Sequence, residues 1–185
     1  MGRALELTAD GGFDAVSLGR LANELSMSKA GVIGHFGTME SLHLAAVQRA
    51  VEVFGREVWQ PAQNRAPGLE RLLKLCDSWI GYLSGDHYVG GCFTSGEFHE
   101  SPAVRSAVAE AMRTWQAVLR QDIQTAQAAG EVPAKPEAGD VALTLSGIAA
   151  ATGQSLRLEL DDAAPRRARR AMRHALGVAR APRGG

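Results

Sequence analysis

The chain has 185 residues, with 20 Lys and Arg against 20 Asp and Glu. This length is enough to bury a hydrophobic core without disulfides, and the zero formal net charge excludes a global field that would attract nucleic acid or a membrane. The two cysteines, Cys76 and Cys92, lack the close spacing of a zinc or redox pair and are expected to be reduced thiols. Because no stretch resembles a signal peptide or a membrane span of roughly 18 apolar residues, we expect a cytoplasmic protein with no membrane partner.

Three short helices are predicted at the N-terminal end. The first covers about residues 2–10 and ends at Gly11. Ser17 caps the second, which presents apolar side chains at helical spacing. After a short turn, Ser28 caps a third helix, which ends near Gly37.

A long fourth helix follows directly. Thr38 is its predicted cap, and Glu40 lies in its first turn, where the helix dipole favours an acidic side chain. Helical spacing predicts an inner face formed by Leu42, Ala45, Ala46, Ala50 and Val53.

The rest of the chain predicts a larger helical body. A helix after Pro67 has an apolar side made of Leu69, Leu72, Leu73, Cys76, Ile80 and Leu83. A short helix near residues 93–98 and a long one from Ser101 come next, and Gly130 is the expected stop of the long one. Two further helices are predicted over residues 141–160 and after residue 162.

The second and third helices form the skeleton of a helix-turn-helix. In such a pair the second member lies in the DNA major groove. The residues predicted to face groove or solvent are Ser28, Lys29, Ala30, Gly31, Ile33, Gly34 and His35. Hydroxyls of Ser17, Ser28 and Thr38 can bind phosphate, and Lys29 can reach phosphate or a guanine edge. On spacing alone, a plain helical corner is an equally good interpretation.

Residues 4–47 resemble the N-terminal domain of TetR-family transcriptional regulators. The resemblance rests on an alanine-rich first helix followed by "GGFDAVSL", "LANELSMSKAG" and "HFGTMESL". Further along, "GGCFTSGEF" followed by "SPAVRSAVAEAM" and a tryptophan looks like one subgroup of the family's ligand-binding domains.

The resemblance implies an all-α fold with two domains. Residues 1–45 would be a three-helix helix-turn-helix DNA-binding domain, and residues 46–185 a helical bundle for ligand binding and dimerisation. It also implies a homodimer that reads two half-sites of a double-stranded DNA operator. A small-molecule effector in the body would control the spacing of the two DNA-binding domains.

Several residues depart from the family pattern. Ile33 stands where the family usually has an aromatic residue, Met39 replaces a common lysine, and Gly34 offers no side chain. Residues 1–43 carry three basic and five acidic side chains, although phosphate neutralisation supplies most non-specific DNA affinity. Family members usually have a basic arm before the position of Met1, and such an arm upstream would favour DNA binding.

Aromatic residues of the body are candidates for a ligand site. The set is Trp79, Tyr82, Phe93, Phe98, Met112 and Trp115. Mostly apolar walls with a few polar groups, such as His87 and Glu97, are typical of small-molecule sites. Aromatics at helical spacing are also typical of an ordinary core, so both interpretations stay open.

Catalytic and metal-site interpretations have weaker support. Cys92 and His99 suggest a nucleophile and a base, but no acidic group that would orient the base is evident. His87, Glu97 and His99 lack metal-ligand spacing. We therefore expect no catalytic residue, no metal and no cofactor.

The sequence thus predicts a ligand-responsive, DNA-binding transcriptional regulator, a repressor released from its operator by a small molecule. The alternative is a dimeric helical small-molecule-binding protein with reduced or lost DNA binding. The dimer is predicted to form through residues 140–160 and 165–179, because "VALTLSGIAAATG" is small and apolar on too many sides for a solvent-facing helix.

Overall fold

A computed structural model describes residues 28, 30, 31, 34, 37–85 and 101–178. Helices and turns make up this part of the chain, with no strand among the described residues, and the all-helical prediction is confirmed. The helices with described bounds are α1 Met39–Phe54, α2 Leu69–Leu83, α3 Pro102–Ala128, α4 Ala138–Arg157 and α5 Ala164–Ala175. A π-helical turn, Gly55–Trp59, follows α1. None of the described helices is long and apolar enough to cross a membrane.

The chain divides into two compact units. One comprises Met1–Gly55 and His87–Arg113, and the other Arg56–Asp86 and Thr114–Gly185. In the first unit, Ala46, Val47 and Ala50 of α1 form a buried cluster with two valines of α3, Val104 and Val108. Small side chains on α1 allow the two helices to approach closely. The predicted boundary at residues 45/46 separates a DNA-binding from a ligand-binding domain, whereas this division describes compactness. The boundary stays a prediction.

In the second unit, α2, α4 and α5 pack against one another. The largest side chains that are fully buried there come from all its helices and from the π-helical turn: Val58, Leu72, Leu75, Ile80, Leu119, Ile123, Leu145, Met172 and Leu176. An exposed ion pair between Arg169 Nε and Asp77 Oδ1, 2.7 Å long, joins α5 to α2. Burial of large aliphatic side chains therefore supplies the main stabilisation of this unit.

The end of α3 is the one that the sequence predicted. Gly130 has a φ of +73°, a left-handed conformation that glycine adopts without steric cost. The N–H of Glu131 donates to the carbonyl oxygen of Ala126 over 2.9 Å, which satisfies a carbonyl of the last turn. Glu131 also caps α2, because its Oε2 accepts the N–H of Leu69 at 3.2 Å. The sequence analysis did not predict that Glu131 caps α2.

Two predictions about the body were wrong in detail. The helix predicted over residues 141–160 begins at Ala138 and ends at Arg157. It starts earlier because Asp140 is favourable in a first turn, and it stops earlier because Glu159 has a φ of +50°. The last helix, whose contribution to the dimer was predicted over residues 165–179, ends at Ala175.

The predicted apolar side of α2 was also partly wrong. Leu72, Cys76 and Ile80 are buried as expected, whereas Leu69, Leu73 and Leu83 are only half-buried. The remaining buried positions are Leu75, Trp79 and Tyr82. Because α2 packs against both α4 and α5, its buried face is wider than a single apolar stripe.

Candidate nucleic-acid interface and ligand site

The start of the predicted DNA-reading helix has the expected cap. Ser28 Oγ accepts a hydrogen bond from the N–H of Gly31 at 2.9 Å, which is the bond that an N-terminal serine cap makes. Ser28, Ala30 and Gly34 are exposed, and Gly31 is half-buried. Added atoms at Gly34 would meet nothing within 4 Å. Three of these small residues, Ser28, Ala30 and Gly34, are therefore accessible to a partner.

Four of the predicted DNA contacts lie outside the described residues. They are Ser17, Lys29, Ile33 and His35. Their roles stay predictions.

Thr38 caps α1, as predicted. Its Oγ1 accepts the N–H of Ser41 at 3.0 Å and lies 3.0 Å from Ser41 Oγ. Gly37, immediately before it, has a φ of +77°, so the turn into α1 requires a residue that tolerates the left-handed conformation. Thr38 is exposed, and exposed amides at a helix N-terminus attract phosphate. The local geometry thus suits the predicted backbone contact.

Glu40 shows a contact that sequence reasoning missed. Its Oε2 accepts the hydroxyl of Ser101 at 2.5 Å. Ser101 immediately precedes α3, and its Oγ accepts the N–H of Val104 at 3.3 Å. The sequence predicts each residue at a helix start, but the two are 61 positions apart, so no local signal pairs them.

Two of the predicted ligand contacts, Trp79 and Trp115, touch each other in the structure. Their ring centroids are 5.2 Å apart at an interplanar angle of 89°, an edge-to-face arrangement. Trp79 and Tyr82 are buried and Trp115 is half-buried. Met112 belongs to the other compact unit, and its side chain is 41% exposed. Phe93 and Phe98 lie outside the described residues.

A polar pair follows directly on the tryptophan in sequence. Gln116 Nε2 donates to Ser146 Oγ at 2.6 Å, and Ser146 Oγ donates to the carbonyl oxygen of Ala142 at 2.9 Å. Sequence reasoning did not single out either residue. The one feature of the sequence that could have indicated Gln116 is that it directly follows Trp115, a predicted ligand contact. An amide and a hydroxyl of this kind can orient a small ligand.

A buried ion pair joins α2 to α3 in the second unit. Arg71 donates to both carboxylate oxygens of Asp122, and Asp122 is fully buried. The guanidinium carbon of Arg71 also lies 5.3 Å from the centre of the Trp59 ring. Hydrogen bonding to Asp122 raises the pKa of Arg71 above its usual value, so the guanidinium stays charged.

Cys76 is unsuited to nucleophilic chemistry. It is a free, buried cysteine, and burial raises the pKa of its thiol to about 12. A protonated, enclosed thiol is unreactive. Among the residues that the structure describes, no group of three or more His, Cys, Asp or Glu side chains could hold a metal ion.

Comparison with protein families gives two matches along the chain. Residues 2–46 match the family described as bacterial regulatory proteins, tetR family. Residues 68–172, more than half of the chain, match the family described as tetracyclin repressor-like, C-terminal domain. A comparison with curated proteins found no match.

Three solved structures illustrate the likeness of fold. A transcriptional regulator from Saccharomonospora viridis in complex with choline is 24% identical, with a TM-score of 0.77 over 94% of this chain and 91% of that one. AibR in complex with isovaleryl coenzyme A and operator DNA is 16% identical, with a TM-score of 0.80 over 94% of each chain. FadR from Bacillus subtilis in complex with stearoyl-CoA is 13% identical, with a TM-score of 0.75 over 97% of each chain.

The prediction of a ligand-responsive, DNA-binding transcriptional regulator is confirmed at the level of the family. The two family segments follow each other in the order that the sequence analysis expects, the DNA-binding part first. The chain belongs to the TetR family of bacterial regulatory proteins.

Proposed function

We propose that this protein is a cytoplasmic repressor that binds an operator as a homodimer and leaves it when a small molecule binds the C-terminal body. The observation that carries the proposal is the presence of both family segments, residues 2–46 and 68–172, on one chain. The protein would act by binding, without catalysis. Ligand binding would favour a spacing of the two DNA-binding domains, each within residues 1–45, that no longer matches successive major grooves.

Operator contacts are assigned to the third helix and to the residues that start the neighbouring helices. Ala30, Gly31, Ile33 and Gly34 would face the groove, and Lys29 would reach either phosphate or a guanine edge. The DNA backbone would meet Ser17, Ser28, His35 and Thr38. Support comes from the cap hydrogen bonds of Ser28 and Thr38 and from the exposure of both residues. With small side chains at Ala30 and Gly34, part of the readout would be by shape and by apolar contact with thymine methyl groups.

The DNA experiment is selection of bound sequences from random double-stranded DNA with the full chain, followed by affinity measurements at several salt concentrations. Lys29→Ala should reduce the salt slope by about 1 if Lys29 contacts phosphate. It should instead relax preference at one base pair, by about 1–3 kcal/mol, if Lys29 reads guanine. Lys135→Ala is the matched control, because its side chain is 79% exposed in the loop between α3 and α4.

Two further variants test how the third helix docks. Ile33→Tyr restores the aromatic hydroxyl that the family usually has and should tighten binding. His35→Ala should weaken binding more at low pH, where the imidazole is charged. If the protein binds DNA and none of the variants Lys29→Ala, Ile33→Tyr and His35→Ala changes the affinity, another surface holds the DNA.

The effector is proposed to be a mostly apolar small molecule that contacts Trp79 and Trp115, with Tyr82, Phe93, Phe98 and Met112 as the other candidate contacts. Gln116 and Ser146 would supply its polar anchor. Structures of similar fold hold choline, isovaleryl coenzyme A and stearoyl-CoA. The test panel should therefore contain quaternary ammonium compounds, short acyl-CoA and long acyl-CoA, with release of DNA as the readout.

The homodimer is assigned to α4 and α5. Leu143 on α4 is 69% exposed, and Gly147, Ala150 and Ala151 are exposed on the same side of the helix. A stripe of small residues beside an exposed leucine allows a second helix to approach closely. The symmetric pairing would place the same stripe on both sides of the interface.

The second candidate function is a dimeric ligand-binding protein without DNA binding. It is favoured by the three basic and five acidic side chains of residues 1–43, together with Ile33 and Met39. The two functions differ in whether the protein selects a DNA sequence. Ligand binding and dimerisation with no selected DNA sequence would establish the second and exclude the repressor.

A further inference from the structure

The N-termini of α1 and α3 are joined by one side-chain hydrogen bond. Ser101 donates its hydroxyl to Glu40 Oε2 over 2.5 Å. The same Ser101 oxygen accepts the Val104 N–H and so caps α3. Glu40, two residues after Thr38, lies in the first turn of α1, where the partial positive charge of the helix stabilises its carboxylate. A single carboxylate thus links the starts of both helices.

Apolar packing below this bond restrains separation of α1 and α3 more than it restrains sliding. The cluster of Ala46, Val47, Ala50, Val104 and Val108 holds the two helices together. Contacts between small aliphatic groups are non-directional, so they resist separation of the helices more than sliding. A hydrogen bond is directional and is lost beyond about 3.5 Å. The Glu40–Ser101 contact therefore adds a directional restraint on the register of α1 against α3.

This register matters for the proposed DNA contacts. Gly37 and the capping residue Thr38 come directly before α1, and Gly34 lies four positions before Thr38 in the sequence. Because Thr38 is the cap of α1, a shift of α1 along its axis would carry Thr38 with it.

We propose that Glu40 and Ser101 are positioning residues, and that their hydrogen bond sets the placement of the operator-reading segment by fixing α1 against α3. The inference rests on the proposed function for its DNA readout. Neither residue needs to touch DNA. Loss of the bond should weaken operator binding and broaden the tolerated half-site spacing, because the segment would no longer have one position.

Ser101→Asp separates the contact from the cap. Aspartate caps a helix about as well as serine, but its carboxylate only accepts hydrogen bonds and repels Glu40. Glu40→Gln/Ser101→Asp restores a hydrogen bond with reversed direction, since the glutamine amide donates to the aspartate. The double variant also has the wild-type net charge. Ser106→Asp, at an exposed position of the same helix, is the control for the added negative charge.

Two measurements test the proposal on the full-length chain: affinity for the selected operator, and hydrogen exchange of the Leu42 amide, which bonds to the Thr38 carbonyl oxygen. Ser101→Asp should weaken operator binding by roughly tenfold and speed exchange at Leu42, and Glu40→Gln/Ser101→Asp should reverse both. Ser106→Asp should change neither. Wild-type affinity and exchange in Ser101→Asp, no rescue in the double variant, or an equal effect of Ser106→Asp would each overturn the proposal.

The two hypotheses fail separately. If the wild-type chain selects no DNA sequence, the repressor function fails and the role of the contact in DNA placement fails with it. Hydrogen exchange then still decides whether Glu40 and Ser101 fix α1. If the wild type binds its operator and the Ser101→Asp variant binds equally well, the repressor function stands and this inference fails.

Discussion

Arg71 donates two hydrogen bonds to Asp122, from Nε to Oδ2 at 2.7 Å and from Nη2 to Oδ1 at 2.6 Å. The Asp122 side chain is fully buried, whereas that of Arg71 is 14% exposed. Such a bidentate pair fixes the angle as well as the distance between its two helices. Here it ties α2 to α3, and Trp59 covers the guanidinium from one face.

Arg71→Met should lower the free energy of unfolding by about 3 kcal/mol, because it leaves an unpaired charge in the core. Arg71→Met/Asp122→Leu removes both charges and should recover a large part of that loss. Urea unfolding followed by circular dichroism measures both changes. A double variant as unstable as the single one would show that shape, more than charge pairing, makes this site important.

Gly177 and Gly130 give a matched pair of backbone tests. Both have positive φ, +69° and +73°. A Cβ at Gly177 would lie 2.6 Å from Pro133 Cδ, whereas a Cβ at Gly130 would meet nothing within 4 Å. Gly130→Ala should therefore cost about 1 kcal/mol of stability from strain alone, and Gly177→Ala about 3 kcal/mol or more because a clash is added. Equal losses in denaturant unfolding would argue against the Pro133 contact.

Cys76 should resist alkylation in the folded protein. In a Cys92→Ser background it is the single thiol of the chain, and iodoacetamide at pH 8 should modify it only after unfolding. Burial raises the pKa of the folded thiol to about 12, whereas an unfolded thiol ionises near 8.5. Above about pH 8.5 the unfolded state therefore loses a proton that the folded state keeps, and the thiol's contribution to stability falls as pH rises. Rapid alkylation under native conditions would contradict the burial.

Ala150→Arg should dissociate the dimer. The alanine is exposed on the small-residue side of α4, and two arginines brought together across a symmetric interface would clash and repel. Ala117→Arg, at an alanine of α3 that is also exposed, is the control and should leave the dimer intact. Sedimentation or light scattering at micromolar concentration distinguishes the two. A monomeric wild type would remove the model of two half-sites.

The tryptophans can report the effector individually. The chain has three, Trp59, Trp79 and Trp115. Compounds that release DNA should change the fluorescence of the wild type, and Trp115→Phe should abolish most of the change. Trp59→Phe should retain it, because Trp59 packs on Arg71. A response that survives in Trp115→Phe but disappears in Trp59→Phe would move the ligand site to the π-helical turn.

Local features of the fold could be read from the sequence. Ser28, Thr38 and Gly130 act at the helix ends predicted for them, because capping depends on a few consecutive residues. The inner face of α1 was also predictable, with Leu42, Ala46, Ala50 and Val53 buried. A single helix packed on one side follows a simple periodic pattern.

Long-range features could not be read in this way. The pairing of Arg71 with Asp122 spans 51 positions, and that of Glu40 with Ser101 spans 61. Spacing rules describe neighbours within a helix and are silent on such distances. The wider buried face of α2, with Leu75 and Tyr82, depends likewise on two partner helices. Of the residues proposed for a ligand site, Trp79 and Trp115 were predicted from the sequence, whereas Gln116 and Ser146 were not.

The partners of α2 have a consequence for the order of folding during synthesis. The amide of Leu69 is capped by a carboxylate 62 positions later, and Asp77 pairs with an arginine 92 positions later. A helix of 15 residues is marginal in isolation. Because Glu131 and Arg169 come much later in the sequence, α2 is synthesised well before the groups that stabilise it. The nascent chain therefore exposes Leu72, Leu75 and Ile80 until α5 has been made. Chaperone binding at this segment, and aggregation of chains truncated before Arg169, are the expected results.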